Sequence, residues 1–408
     1  MTAATTDAVI VSTARSPIGR AVKGSLATMR PDDLLGQMVS AALARVPELD
    51  PATIADVLVG CGQPAGEAGY NIARVVAIQL GLDTVPGTTV NRYCSSSLQT
   101  SRMAHHAIRA GEDEVFLSAG VETVSRYPHG TADGWPGVHN PRGAEAEART
   151  AARAAGSDEW HDPRDDGLLP DVYIEMGQTA ENVARFCGIT RAEMDEFGLL
   201  SQQRAQAAIA DGFWRDDITP VALADGTIVD ADDGPRAGST LEAMAALPPA
   251  FRPDGLVTAG NSCPLNDGAA ALVIMSAARA ERLGITPLAR IVATAAAALS
   301  PEIMGLGPVE ASRLALQRAG LTIDDIDLVE MNEAFAAQVI PSQRMLGIDP
   351  ERLNVFGGAI AVGHPFGMTG ARITSTLIHG LQVRDRQFGL ETMCVAGGQG
   401  MAMVIERL

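Results

Sequence analysis

One order of apolar segments occurs twice along the 408 residues, and this constrains the fold more than any other feature. In the first half a strand-like run DAVIVSTA (7–14) is followed by a helical pattern at 30–46 and the strand-like DVLVGCG (56–62). A helical stretch at 71–80, a buried-looking turn at Val90–Cys94, a helix at 95–110 and a strand EVFLSAG (114–120) complete it. The second half runs ARIVATA (289–295), helix 307–320, DLVEMN (327–332), helix 333–346, a glycine-rich turn at Gly357–His364, helix 367–382 and FGLETMCV (388–395). ALVIMS (271–276) adds a further strand. Short apolar runs alternating with helical spacing predict an α/β protein with covered sheets. From Val57 to Cys94 is 37 positions and from Val329 to His364 is 35, so the repeat predicts a duplication rather than ordinary α/β alternation.

Between the halves, 122–250 has a different character. It holds all three tryptophans, Trp135, Trp160 and Trp214, and little sheet pattern, with helices expected near 177–187 and 190–211. An insertion of this length suits a segment that covers a site. The expected division is 1–121 plus about 251–276 for the first half, 122–250 for the insertion and 277–408 for the second half.

Composition excludes several classes. With 31 Lys+Arg against 49 Asp+Glu, the net charge of −18 argues against nucleic acid or an anionic membrane as main partner. Lys23 is the one lysine. No apolar run approaches the ~20 residues of a membrane span. The start MTAATTDAVIV lacks the pattern of a signal peptide. The five cysteines, Cys61, Cys94, Cys187, Cys263 and Cys394, are odd in number and include no CxxC. A disulfide framework or a metal site is therefore not expected, and a reducing, cytoplasmic setting fits.

Four positions carry candidate chemistry. Cys94 in VNRYCSSSLQT follows a strand-like TTVN and precedes a helix. Free N–H groups at a helix start favour an anion, lower a thiol pKa and stabilise an oxyanion. A buried structural cysteine is the alternative. His364 lies in GGAIAVGHPFGMTGARITS (357–375), where it is either a general base or a turn histidine. Cys394 ends a strand before the glycine-rich AGGQG, and Asn332 closes another strand, as a site residue or as an N-cap. All four fall at or near carboxyl ends of strands, where ligands bind in open α/β sheets.

Seven motifs in order resemble the thiolases, the acetyl-CoA acyltransferases: ARSPIG (14–19), VNRYCSS (90–96), MGQTAENVA (176–184), AGNSCPLNDGAAA (259–271), NEAFA (332–336), GHPFGMTGAR (363–372) and CVAGGQG (394–400). The resemblance spans the whole chain and looks closer to the degradative 3-ketoacyl-CoA branch than to the biosynthetic acetoacetyl branch. It implies a duplicated α/β thiolase fold with two mixed-sheet halves in an α-β-α-β-α layering and an inserted loop domain that binds CoA. Cys94 is implied as the acylated nucleophile, His364 as its activator and Cys394 as a second acid/base. Asn332 would hold an enolate-stabilising water, and the N–H groups of Cys94 and Ala396 would form an oxyanion hole. Arg236, Met176, Cys263, Ala334 and Phe335 match positions that contact CoA, although Arg236 also suits a solvated surface.

Coenzyme A is then a substrate, and no cofactor or metal is implied. The resemblance further implies homodimers or homotetramers, with a β-oxidation partner subunit as a further possibility. Three departures stand out: Ser97 and Ala396 replace common glycines, and Cys263 stands where serine is frequent. Glu175 replaces a histidine of some biosynthetic members. A decarboxylating ketoacyl synthase would lack Cys394, and an acyl-CoA binding protein of this fold would lack Cys94 or His364. A short-chain acetoacetyl-CoA thiolase in a biosynthetic role is the remaining alternative.

Overall fold

The computed structural model describes residues 5–130, 133, 136–156 and 159–408; Trp135 lies outside them. The first half runs β1 (Ala8–Arg15), α1 (Pro31–Ala44), β2 (Asp56–Gly60), α2 (Ile72–Gln79), β3 (Gly87–Val90), α3 (Ser96–Ala110) and β4 (Val115–Thr123). The intervening segment contains α4 (Ala144–Ala155), α5 (Met176–Phe186) and α6 (Arg191–Ala210) before the chain returns as β5 (Asn266–Ser276). The second half follows as β6 (Ala289–Ala298), α7 (Gly307–Ala319), β7 (Leu328–Met331), α8 (Ala336–Leu346), α9 (Thr369–Val383), β8 (Phe388–Val395) and β9 (Gln399–Arg407).

The strands lie side by side in the order β7-β8-β9-β6-β1-β5-β4-β2-β3, with the two-residue strand Gly19–Arg20 on β5. The two halves repeat strand for strand. β2 pairs parallel with β4, which pairs antiparallel with β5, which pairs antiparallel with β1. Likewise β7 pairs parallel with β8, then β8 with β9 and β9 with β6 antiparallel. Even the β2–β3 pairing has a remnant, the parallel bridge Val329–Leu353. The halves meet where Val9 and Ile10 face Arg290 and Ala289. In the second half Ala396–Gly398 joins β8 to β9 tightly, whereas the equivalent link from β4 to β5 holds the whole insertion.

Side-chain alternation then dictates five layers. Val57, Val59, Leu117, Val273 and Met275 pack under α1 and α2. Their sequence neighbours Leu58, Phe116, Leu272 and Ile274 face the opposite way, onto Leu98 and Ile108 of α3 and Ile373 and Leu377 of α9. The far side of this central layer is met by Met393, Met401, Met403 and Ile405. Ala402, Val404, Val329 and Leu390 point outward again, under α7 and α8. Strands covered on both faces read as nearly continuous apolar runs, which is why they stand out in the sequence. Each fully buried Leu or Ile here contributes about 1.5–3 kcal/mol.

Four elements differ from expectation. β9 was not anticipated, because its alternating MAMVIE follows directly on a glycine-rich turn that masks its start. Residues 333–335 are extended rather than helical: Asn332 N–H donates to Thr392 O, Cys263 N–H to Ala334 O, and Phe335 pairs with Ser262. The turn at Val90–Cys94 is not buried throughout, since Asn91 and Tyr93 are exposed and only Cys94 is enclosed. The turn at Gly357–His364 contains a short helix, Ala359–Val362.

Buried polar pairs tie the insertion to both halves. Arg15 of the ARSPIG motif donates to Asp217 at 2.9 Å and Asp232 at 2.6 Å. Glu302 accepts from Trp160 Nε1 at 2.8 Å and Asp171 N at 2.9 Å. Among the described residues no helix is long and apolar enough to cross a membrane.

Candidate active site

Cys94 is reached through a strained turn. Tyr93, just before it, has φ +45°, a left-handed conformation unfavourable for a bulky residue. The strain is locked locally. Asn91 Oδ1 accepts from Tyr93 N at 2.8 Å, and Ser96 Oγ both accepts from Arg92 N and donates to Tyr93 O. A single 3-10 turn, Tyr93–Ser95, then leads into α3. The backbone N–H groups of Ala396 and of Cys94 itself are directed at Cys94 Sγ.

The expectation that a helix start lowers the Cys94 pKa is overturned. Burial dominates and pushes the thiol up to about 12, against the opposing pull of those two N–H groups. Cys94 therefore rests as a neutral thiol, which can act as a nucleophile only where a base takes its proton.

His364 has the properties of that base. Burial, and then the charge of Arg372, lower its pKa to about 3, so the imidazole is neutral at physiological pH. Its tautomer follows from the hydrogen bonds. Thr369 Oγ1 donates to Pro365 O at 2.7 Å, so its one proton is committed. The 2.6 Å bond between His364 Nδ1 and Thr369 Oγ1 is then donated by Nδ1–H. Nε2 is left as the lone-pair nitrogen, and Asn332 Nδ2 donates to it at 3.2 Å. Asn332 is not an N-cap, since α8 begins four residues later at Ala336 with Phe335 as its cap. Its Oδ1 is buried without a hydrogen-bond partner among the described residues, a cost borne where a ligand or reacting group is to be met.

Two buried carboxylates hold these parts and were not singled out from sequence. Glu122, at the end of β4, accepts from the N–H groups of Gly62, Gln63 and Gly367 and from Tyr127 Oη, fixing the loop that carries His364. Glu333 accepts from Ser201 Oγ, Asn354 Nδ2 and Ile360 N. Burial raises the pKa of both, and the hydrogen bonds oppose it. Ser97 also has a clear use: its buried hydroxyl accepts from Ala371 N at 2.9 Å, capping a first-turn N–H of α9. At this crossing a Cβ on Gly370 would lie 2.3 Å from Leu98 N, so the two helix starts touch backbone to backbone.

Cys394 is fully buried on β8, opposite Gly400, among Ala334, Phe335 and Ile360. Its thiol is pushed well up by burial, and further by Cys94 and Cys263. Cys263 is raised too, by burial and then by Cys94. Met176 and Cys263 pack on the same apolar group as Cys394. Ala396 is absent from the left-handed conformations taken by its neighbours Gly397 and Gly398, so its methyl causes no backbone strain.

Arg236 sits apart from the reactive groups, exposed on a cleft of about 160 Å³ lined also by Arg20, Met244, Leu247, Pro264 and Ile360. None of Cys94, His364, Asn332 or Cys394 lines that cleft. Ile360 connects the two regions, since it also packs in the group containing Phe335 and Cys394. Arg20, Met244, Leu247 and Ile360 carry no sequence signal of their own; only the fold gathers them.

A thiol and an imidazole near the starts of counterpart helices, with a second thiol at a strand end, are the residue types that covalent acyl transfer uses. Similarity to known proteins agrees. Residues 8–278 match the thiolase N-terminal domain and residues 285–407 the thiolase C-terminal domain. A 3-ketoacyl-CoA thiolase of Bacillus subtilis is 42% identical over 98% of this chain and 99% of its own. An acetyl-CoA acetyltransferase of Escherichia coli is 44% identical over the same shares. The dimeric peroxisomal thiolase of Saccharomyces cerevisiae superposes with a TM-score of 0.89 at 33% identity, covering 100% of this chain and 99% of that one. The chain belongs to the thiolase family, and its activity is that of an acyltransferase on CoA thioesters.

Proposed function

We propose that the protein cleaves 3-ketoacyl-CoA with CoA through an acyl-Cys94 intermediate, or runs the reverse condensation. The observation that carries this reading is that the start of α3, beside the neutral thiol of Cys94, meets the start of α9, beside the neutral His364, whose bare Nε2 faces Asn332. Cys94 Sγ attacks the 3-keto carbon while its proton passes to His364 Nε2. The C2–C3 bond breaks, Cys394 protonates the departing acetyl-CoA carbon, and the acyl group remains on Cys94. Cys394 then takes the thiol proton of incoming CoA, whose sulfur attacks the thioester and expels Cys94 Sγ, which takes its proton back from His364. The N–H groups of Cys94 and Ala396 receive the thioester oxyanion. Asn332, with a water it holds, and His364 receive the enolate oxygen.

Arg236, Met176, Cys263, Ala334 and Phe335 are assigned to CoA. Arg236 meets the anionic nucleotide end on the cleft, and the other four meet the thioester arm beside Cys394. The 122–250 insertion carries much of this surface, between a first half of 1–121 plus about 251–276 and a second half of 277–408. Degradative thiolysis in the cytoplasm, in a homodimer or homotetramer, completes the reading. A β-oxidation hydratase/dehydrogenase subunit is the fitting partner.

The test is CoA-dependent cleavage of a 3-ketoacyl-CoA series from acetoacetyl to long chains. A chain-length maximum, abolished by Cys94→Ala, is expected. Cys394→Ala should suppress condensation while partly sparing acyl transfer to Cys94. Normal thiolysis by Cys94→Ala would refute the mechanism.

A further inference from the structure

Gln399 occupies a place that the reaction scheme above leaves unused. It opens β9, immediately after the tight Ala396–Gly398 turn. Its Oε1 accepts from Arg92 Nη1 at 2.8 Å, and Arg92 lies two residues before Cys94. Its Nε2 donates to Ala396 O at 3.2 Å. One side chain therefore joins the nucleophile turn of the first half to the turn of the second half whose N–H points at Cys94 Sγ. The backbone on either side is fixed independently. Gln399 pairs with Ala298 and Val395, and Gly398 O accepts from Leu299 N. Ala396 sits at the apex between the strands, its N–H in the peptide from Val395 and its O in the peptide toward Gly397, hinged at its Cα, and Gly397 and Gly398, both left-handed, give the turn little stiffness of its own.

We propose that Gln399 is a positioning residue for acyl transfer: by holding Ala396 O it aims the Ala396 N–H at the oxyanion that forms on Cys94. This rests on the assignment of Cys94 as nucleophile and Ala396 N–H as oxyanion donor. Removing one oxyanion donor outright costs about 10²–10³ in kcat, so a donor left in place but loosened should cost less.

The experiment compares two reactions of Cys94. Acyl transfer from acetyl-CoA develops an oxyanion, whereas alkylation by iodoacetamide needs the thiol and its base but forms no oxyanion. In Gln399→Ala, acyl transfer should fall about 10–50-fold. KM for acetyl-CoA should stay within about threefold, and the alkylation rate within about twofold. Gln399→Met, which keeps the side-chain volume without polar ends, should behave alike and covers the event that the alanine variant folds poorly. Gln399→Glu keeps an acceptor for Arg92 but has no donor for Ala396 O, so it should be as slow as alanine in acyl transfer. Equal losses in acyl transfer and alkylation would overturn the proposal, because Gln399 would then act on Cys94 through Arg92. Full rescue by glutamate would overturn it for the same reason. Label found elsewhere than on Cys94 in the unmodified protein would instead overturn the nucleophile assignment itself.

Discussion

Thr369→Val tests the tautomer of His364. The substitution keeps the branched shape and removes Oγ1, which accepts from His364 Nδ1–H at 2.6 Å and donates to Pro365 O at 2.7 Å. His364 is buried, so its Nδ1–H loses its hydrogen-bond acceptor at a cost of about 1–3 kcal/mol. Moving the proton to Nε2 relieves that cost, and the buried, unpartnered Asn332 Oδ1 accepts it after an amide flip. The base that should receive the Cys94 proton is then blocked. In a serine-protease triad the wrong tautomer costs about 10⁴ in kcat. The orienting group here is a neutral hydroxyl, so about 10²-fold is expected, or ~2.7 kcal/mol of barrier. Rapid-quench measurement of acetyl-Cys94 formation from acetyl-CoA reads this directly, with Thr369→Ser restoring at least half the rate. A valine variant within about threefold of the parent would show that the hydroxyl does not set the tautomer.

Three further outcomes follow from the same geometry. His364 has a folded pKa near 3 against an ordinary 6.5, so between these values the unfolded chain binds the extra proton and stability falls as pH falls. At about pH 5.5 this amounts to ~1.4 kcal/mol, and urea unfolding of His364→Asn should lack that part of the pH dependence; identical curves would exclude it. Glu333→Gln places an amide among three donors, from Ser201, Asn354 and Ile360, and should lose about 1–3 kcal/mol by the same unfolding assay. Ala396→Gly should leave thiolysis within about twofold, because Ala396 needs no left-handed freedom; a large gain in kcat would mean that its methyl crowds the acyl group.

The sheet was legible because most of its strands are buried on both faces, and such runs survive any reading by periodicity. β9 escaped for the opposite reason: its first residues are glycine and glutamine, and the turn was read further than it runs. Cys94, His364, Asn332 and Cys394 were legible as reactive types at the ends of apolar runs. What they do electrostatically was not. The helix-start argument gives the sign of one contribution to the Cys94 pKa, whereas burial, which depends on the other half of the chain, decides the total. Glu122 and Gln399 are common polar residues in sequence, and only tertiary contacts with another motif give them a task, whereas Thr369 acts inside its own motif through a turn that brings it to His364. Residues 333–335 looked helical because NEAFAAQ has good helix formers; pairing with 262–263 and the Glu333 hydrogen bonds prevailed over propensity.

A duplicated fold ought to offer two equivalent sites, and the register shows why it has one. Val59 pairs with Ala119 as Met331 pairs with Thr392, and Val59 and Met331 both face outward, so Gly60 corresponds to Asn332 and Val121 to Cys394. At these positions the first half carries a glycine and an apolar valine, and the next residues, Cys61 and Glu122, are engaged with each other and with Gly62, Gln63 and Gly367. The first half therefore offers no reactive side chain at these two positions. In the second half the same positions hold an amide with an unpartnered oxygen and a thiol against β9. The segment leading into the next helix carries Cys94, the proposed nucleophile, in the first half and His364, the proposed base, in the second. Because α3 and α9 meet at their starts, where Gly370 lies on Leu98 and Ser97 caps Ala371, the proposed nucleophile and base come from opposite halves. Neither half alone contains both, so the single site is a property of the duplication and not of either copy.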